Sequence, residues 1–120
     1  MSVLPDGTVV LVDHGFLIVI APDGSIRRLP EPLSSKRERY SVMGVWSGND
    51  KSIYVADYGS AAVKKLPPGG KVSTVYSLPS PWRPCGGLIA PDGALWILET
   101  SPTNAQQVRR VGASGDARVF

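Results

Sequence analysis

Asn49-Asp50-Lys51-Ser52-Ile53-Tyr54-Val55-Ala56-Asp57 is a turn, a β-rich run and a carboxylate, and the chain writes that phrase three times. The first copy is Pro5-Asp6-Gly7-Thr8-Val9-Val10-Leu11-Val12-Asp13, and the third is Pro91-Asp92-Gly93-Ala94-Leu95-Trp96-Ile97-Leu98-Glu99. Asp13 and Asp57 lie 44 residues apart, and Asp57 and Glu99 lie 42 apart. That is the period of one four-stranded propeller blade. The expected fold is therefore an all-β propeller segment with three four-stranded blades. Closed propellers need at least four blades, so three cannot close alone.

Outward from each core phrase the repeat continues with a polar link, a strand, a second turn and a further strand. In the middle unit these are Tyr58-Gly59-Ser60-Ala61, Ala62 to Leu66, Pro67-Pro68-Gly69-Gly70 and Lys71 to Tyr76. The first unit offers His14-Gly15, Phe16 to Ala21, Pro22-Asp23-Gly24 and Ser25 to Leu29, and the third a longer link, Thr100 to Gln107. Proline presets φ and glycine accepts positive φ, so Pro-Asp-Gly and Pro-Gly-Gly suit tight turns. A short strand precedes each phrase, Val42 to Trp46 in the second unit and Cys85 to Ala90 in the third, but only Ser2-Val3-Leu4 in the first. Gly44, Gly86 and Gly87 on these inner strands fit close backbone approach around a channel. The blades are expected over residues 1–31, 41–78 and 82–120, in a single domain.

Composition agrees. The 13 Gly and 11 Pro are spread among short apolar runs, a pattern of many strands and turns rather than disorder. The longest apolar run, Phe16 to Ala21, is far short of a membrane span. The opening residues show no secretory signal, and the sequence leaves the compartment open. A net charge of +3 with basic residues in pairs (Arg27-Arg28, Lys64-Lys65, Arg109-Arg110) and one cluster, Lys36-Arg37-Glu38-Arg39, falls short of a nucleic-acid stripe. These pairs read as solvated strand faces. The single Cys85 excludes an internal disulfide and a cysteine metal cluster.

Ile53-Tyr54-Val55-Ala56-Asp57-Tyr58-Gly59-Ser60-Ala61-Ala62-Val63-Lys64-Lys65-Leu66 and Leu88-Ile89-Ala90-Pro91-Asp92-Gly93-Ala94-Leu95-Trp96-Ile97 resemble the core and entry phrases of the NHL-repeat and gluconolactonase-like six-bladed propellers. The resemblance implies half of a six-bladed ring, and it spans nearly the whole chain. Its members include binding modules, RNA-binding modules, lyases and lactonases, so it implies no single function. The metal-binding aspartate of the lactonase branch falls on Gly86, which removes that carry-over. The paired histidine and glutamate of the virginiamycin-lyase-like branch find only His14.

The repeated carboxylates Asp13, Asp57 and Glu99 end their strands at one face of the fold. Three together could hold a divalent cation, but a residue repeated in each blade reads first as structural, bonded to backbone N–H groups at its own turn. His14 is the only histidine. Its strand neighbour Asp13 would point to the opposite face unless the chain has already turned. Arg83 could hold an anion through its forked donors, with Trp82 as an apolar wall. Cys85 reads as a buried, inert thiol. The residues expected to bind a ligand are thus Arg83, Trp82, His14, Tyr58, Glu99 and Asp57, with no catalytic residue, no metal and no cofactor.

The leading expectation is a non-enzymatic binding scaffold, assembled as a homodimer that completes the ring, with a small molecule or protein at the channel mouth. The alternative is a propeller hydrolase or lyase whose site forms only in the assembled ring. A basic RNA-binding surface is the third reading.

Overall fold

The structure, a computed structural model, describes residues 1–29, 33 and 41–120. Among the described residues all regular structure is β, in three four-stranded antiparallel sheets. Blade 1 holds β1 (Ser2–Val3), β2 (Val9–Asp13), β3 (Phe16–Ile20) and β4 (Ile26–Arg28). Blade 2 holds β5 (Val42–Ser47), β6 (Ile53–Asp57), β7 (Ala62–Leu66) and β8 (Ser73–Ser77). Blade 3 holds β9 (Arg83–Ile89), β10 (Leu95–Thr100), β11 (Gln106–Val111) and β12 (Ala117–Val119). Each sheet is a simple meander in chain order, so the chain folds as three consecutive four-stranded propeller blades. The Lys36-Arg37-Glu38-Arg39 cluster lies outside the described residues.

The turns that open each core phrase are built by their aspartates. Asp6 Oδ1 accepts from the Thr8 amide at 2.9 Å, Asp50 Oδ1 from Ser52 at 3.1 Å and Asp92 Oδ1 from Ala94 at 3.0 Å. Such side-chain bonds replace a backbone turn contact. Blades 2 and 3 add a second tie from the strand beyond: Lys65 Nζ stands 3.1 Å from Asp50 and Arg110 Nη2 3.0 Å from Asp92. The Lys65 ammonium first, then the Ser52 amide, hold the Asp50 carboxyl down at about 2. Folding therefore favours its ionised form. The contribution is complete above pH ~4 and drains away as pH falls towards 2. Asp50 is largely exposed, so solvent screening keeps this below about 1 kcal/mol. Asp50→Asn should lower the melting temperature slightly at pH 7 and not at all near pH 2, as followed by circular dichroism.

Register splits every blade into a rear face, towards the preceding blade, and a forward face. Val10, Val12, Leu17 and Val19 on the forward face of blade 1 pack with Ile53, Val55 and Leu66 on the rear of blade 2. Trp46, Tyr54, Ala56, Val63 and Tyr76 on the forward face of blade 2 pack with Leu95, Ile97 and Val111 on the rear of blade 3. The core is thus two slabs between blades, each fully buried aliphatic adding about 1.5–3 kcal/mol. Near the axis the inner strands approach so closely that side chains would not fit. A Cβ on Gly44 would come within 2.8 Å of the Cys85 carbonyl oxygen, and one on Gly87 would strike Trp96 O and the Trp46 ring. Gly86 differs from the expectation, because a Cβ there would meet nothing.

Candidate functional site

The links that follow β2, β6 and β10 gather at one end of the blades, and the repeated carboxylates stand at their roots. Two of the three are sealed. Asp57 is 0% exposed, with Lys64 Nζ 2.7 Å from its Oδ2. Its Oδ1 accepts from Ser41 Oγ at 2.6 Å and from the Ser60 amide at 3.3 Å. Lys64 also donates to the Leu33 carbonyl at 3.3 Å. Glu99 is likewise 0% exposed and takes a two-pronged bond from Arg109, Nη2 to Oε1 at 2.9 Å and Nε to Oε2 at 3.1 Å. Gln107 Nε2 donates to Oε1 as well. The Glu99 carboxylate lifts the Arg109 guanidinium further above its usual range. Paired and bonded in this way, buried charges are tolerated.

The expectation that each carboxylate serves only its own turn is therefore corrected. Ser60 N is a local bond of that kind, but the dominant partners are cations from the next strand. Lys64 pairs across the sheet with Val55 and Arg109 with Ile97, each two residues before the carboxylate and so on the same face. The basic pairs are corrected too: Lys64 and Arg109 turn inward, while Lys65 and Arg110 hold the aspartates of the opposite turns. In blade 1 the corresponding pairing is Leu11 with Ile18, and no cation stands there.

Asp13 consequently has a different partner. It is exposed, and its Oδ1 accepts from His14 Nδ1 at 2.7 Å. The two side chains would point to opposite faces only on an extended chain. His14 instead sits in a two-residue turn with φ of 50°, followed by Gly15 at 82°. The strand has already reversed, and the ring folds back onto the carboxylate. Non-glycine residues at positive φ are uncommon, although histidine is among the more tolerant. With Nδ1 held by Asp13, Nε2 is the nitrogen free to exchange a proton.

Arg83, Trp82 and Tyr58 come together at the junction of blades 2 and 3. Arg83 Nη1 donates to the Tyr58 carbonyl at 2.7 Å and to that of Gly59 at 3.3 Å. Its guanidinium carbon lies 5.2 Å from the Tyr58 ring centre. Trp82 packs against the slab between these blades. Asp57 and Glu99 are held in their buried ion pairs on the rear faces of blades 2 and 3, and His14 stands with Asp13 on blade 1. Burial pushes the Cys85 thiol up, which keeps it a poor nucleophile. Among the described residues no three of His, Cys, Asp and Glu gather as a metal-binding group. Lys64, Arg109, Ser41 and Gln107 were missed in the sequence, since only strand register shows that they face the carboxylates.

No protein-family model matches the chain, and no curated protein does. Solved structures do. The chain superposes on a streptogramin B lyase with a TM-score of 0.75 at 21% identity, covering 99% of itself and 38% of the lyase. It superposes on a catalytically inactive virginiamycin B lyase from Staphylococcus aureus, carrying a histidine-to-alanine change and solved with quinupristin, with a TM-score of 0.71 at 21% identity, covering 98% of itself and 39% of that chain. With a protein described as a candidate gluconolactonase the TM-score is 0.69 at 15% identity, over 95% of this chain and 44% of that one. At these identities the likeness shows the propeller fold, and the chain spans about two-fifths of each neighbour. These neighbours correct the reading of a non-enzymatic binding scaffold. The neighbours named here are lyases and a protein described as a candidate gluconolactonase, not binding scaffolds.

Proposed function

We propose that the chain is one half of a lyase- or hydrolase-type propeller, with the reactive site on the link face and complete only when a second half, another copy of the chain, closes the ring. The observation that carries this reading is the asymmetry of the three carboxylates. Asp57 and Glu99 are neutralised from within their own blades, whereas Asp13 is joined to His14, the only histidine in the sequence and a side chain able to accept and return a proton. His14 Nε2 accepts the proton removed from substrate or water, and Asp13 orients the ring and stabilises the imidazolium. Arg83, Trp82 and Tyr58 form a wall with a fixed cation, and the sealed Asp57 and Glu99 pairs position the links above them.

The first compounds to test are those carried by the neighbours' names, quinupristin and gluconolactone, with products read by mass spectrometry. Turnover is expected in the assembled protein, falling about a hundredfold or more in His14→Ala. Equal rates in the variant would remove His14 from the reaction, and inertness towards both compounds would remove the enzymatic reading.

A further inference from the structure

Equivalent positions in the three blades show what a neighbouring blade does to a residue. On the rear faces, Val55 and Ile97 are 0% exposed, while their counterpart Leu11 is only half-buried. On the forward faces, Ala56 is 0% exposed and its counterpart Leu98 is 44% exposed. Each end of the arc thus carries the residues of an interior slab without the slab's other half. The rear face of blade 1 presents Val9, Leu11, Ile18, Ile20 and Ile26. The forward face of blade 3 presents Leu88, Trp96, Leu98 and Val108 around a concavity of about 390 Å³, with Phe120 stacked on Trp96. Few monomers leave two such patches in water.

The geometry points to a second copy of this chain as the occupant of both faces, with the rear of blade 1 from one copy seated on the forward face of blade 3 from the other. This rests on the half-propeller reading above and gives the closing partner its contact residues. Leu11 would occupy the place that Ile97 takes in the slab it shares with Ala56, and Leu98 would play the part of Ala56. Gly86 carries the same implication. Its counterpart Gly44 must lack a side chain because the next inner strand arrives against it, yet Gly86 is left bare with open space beside it. The position is already cleared for another inner strand. Arg28, opposite Ile18, and Arg118, opposite Arg110, lie on the same two faces but on the outermost strands, over Phe16 and Phe120, which places them at the outer rim of the seam.

Closure after two copies follows from the count. Three blades of a six-bladed ring span half a turn, so a head-to-tail contact applied twice returns to its start and forms a closed pair instead of a fibre. The overall extents are 41 × 33 × 22 Å, the shortest about half the longest.

Light scattering at low micromolar concentration tests this without any substrate. The expected mass is twice the 12.8 kDa chain, reduced to one chain in Leu98→Asp with an unchanged circular dichroism spectrum. A cysteine pair supplies the second test. In a Cys85→Ser background, Leu11→Cys and Leu98→Cys chains should cross-link when mixed and not when each is kept alone. A folded wild-type species of one chain mass, an open ladder of polymers, or a Leu98→Asp chain that stays paired would each overturn the seam. A closed pair without turnover would instead sink the enzymatic reading and leave the seam standing.

Discussion

Replacing Arg109 by leucine should cost about 3–5 kcal/mol, the usual penalty for stranding one member of a buried ion pair. Glu99 is 0% exposed, and without Arg109 it keeps only Gln107 among its present side-chain partners. A domain of this kind has about 5–15 kcal/mol in hand, so the variant should be partly unfolded at 37 °C. One further result separates the charge from the lost volume. Adding Glu99→Leu should restore much of the loss, because an apolar pair of similar size removes the desolvation problem. Urea denaturation of the single and double variants gives the comparison, and a double variant no more stable than Arg109→Leu would assign the effect to packing alone.

That ion pair also marks the limit of what the sequence discloses. The blades were legible because the period, the Asp-initiated turns and the β-rich runs all point the same way. The carboxylates were legible as repeated residues, but their partners were not. Lys64 and Arg109 look like any surface cation until β7 and β11 are set in register, and a shift of one residue would send them to the other face. His14 and Asp13 were left open for the opposite reason. Strand alternation separates them and a turn brings them together, and the residues alone do not show that the strand ends at Asp13 and His14 takes a φ of 50°. The function was misread for a third reason. Residue-by-residue comparison with lactonase and lyase patterns found mismatches at Gly86 and around a lone histidine, but three blades hold only part of any site that spans a ring.

The second large effect is a comparison between two equivalent positions. Ile97→Ala should cost about 2–5 kcal/mol at any protein concentration, since its side chain is fully enclosed by blades 2 and 3 of the same chain. Leu11 occupies the same place on blade 1, facing outward. In dilute solution, where chains are single, Leu11→Ala removes contacts from a half-solvated surface and should cost under about 1 kcal/mol. As concentration rises and rings close, the wild type gains stability from association and the variant gains less. The cost of Leu11→Ala should therefore climb with concentration towards that of Ile97→Ala, whose own cost stays level. Urea titrations of the wild type and both variants, run from nanomolar to tens of micromolar, measure the two trends together. A Leu11→Ala penalty that stays small and flat across that range would mean that the face remains in water, and the outer blades would then need some other explanation for their apolar ends.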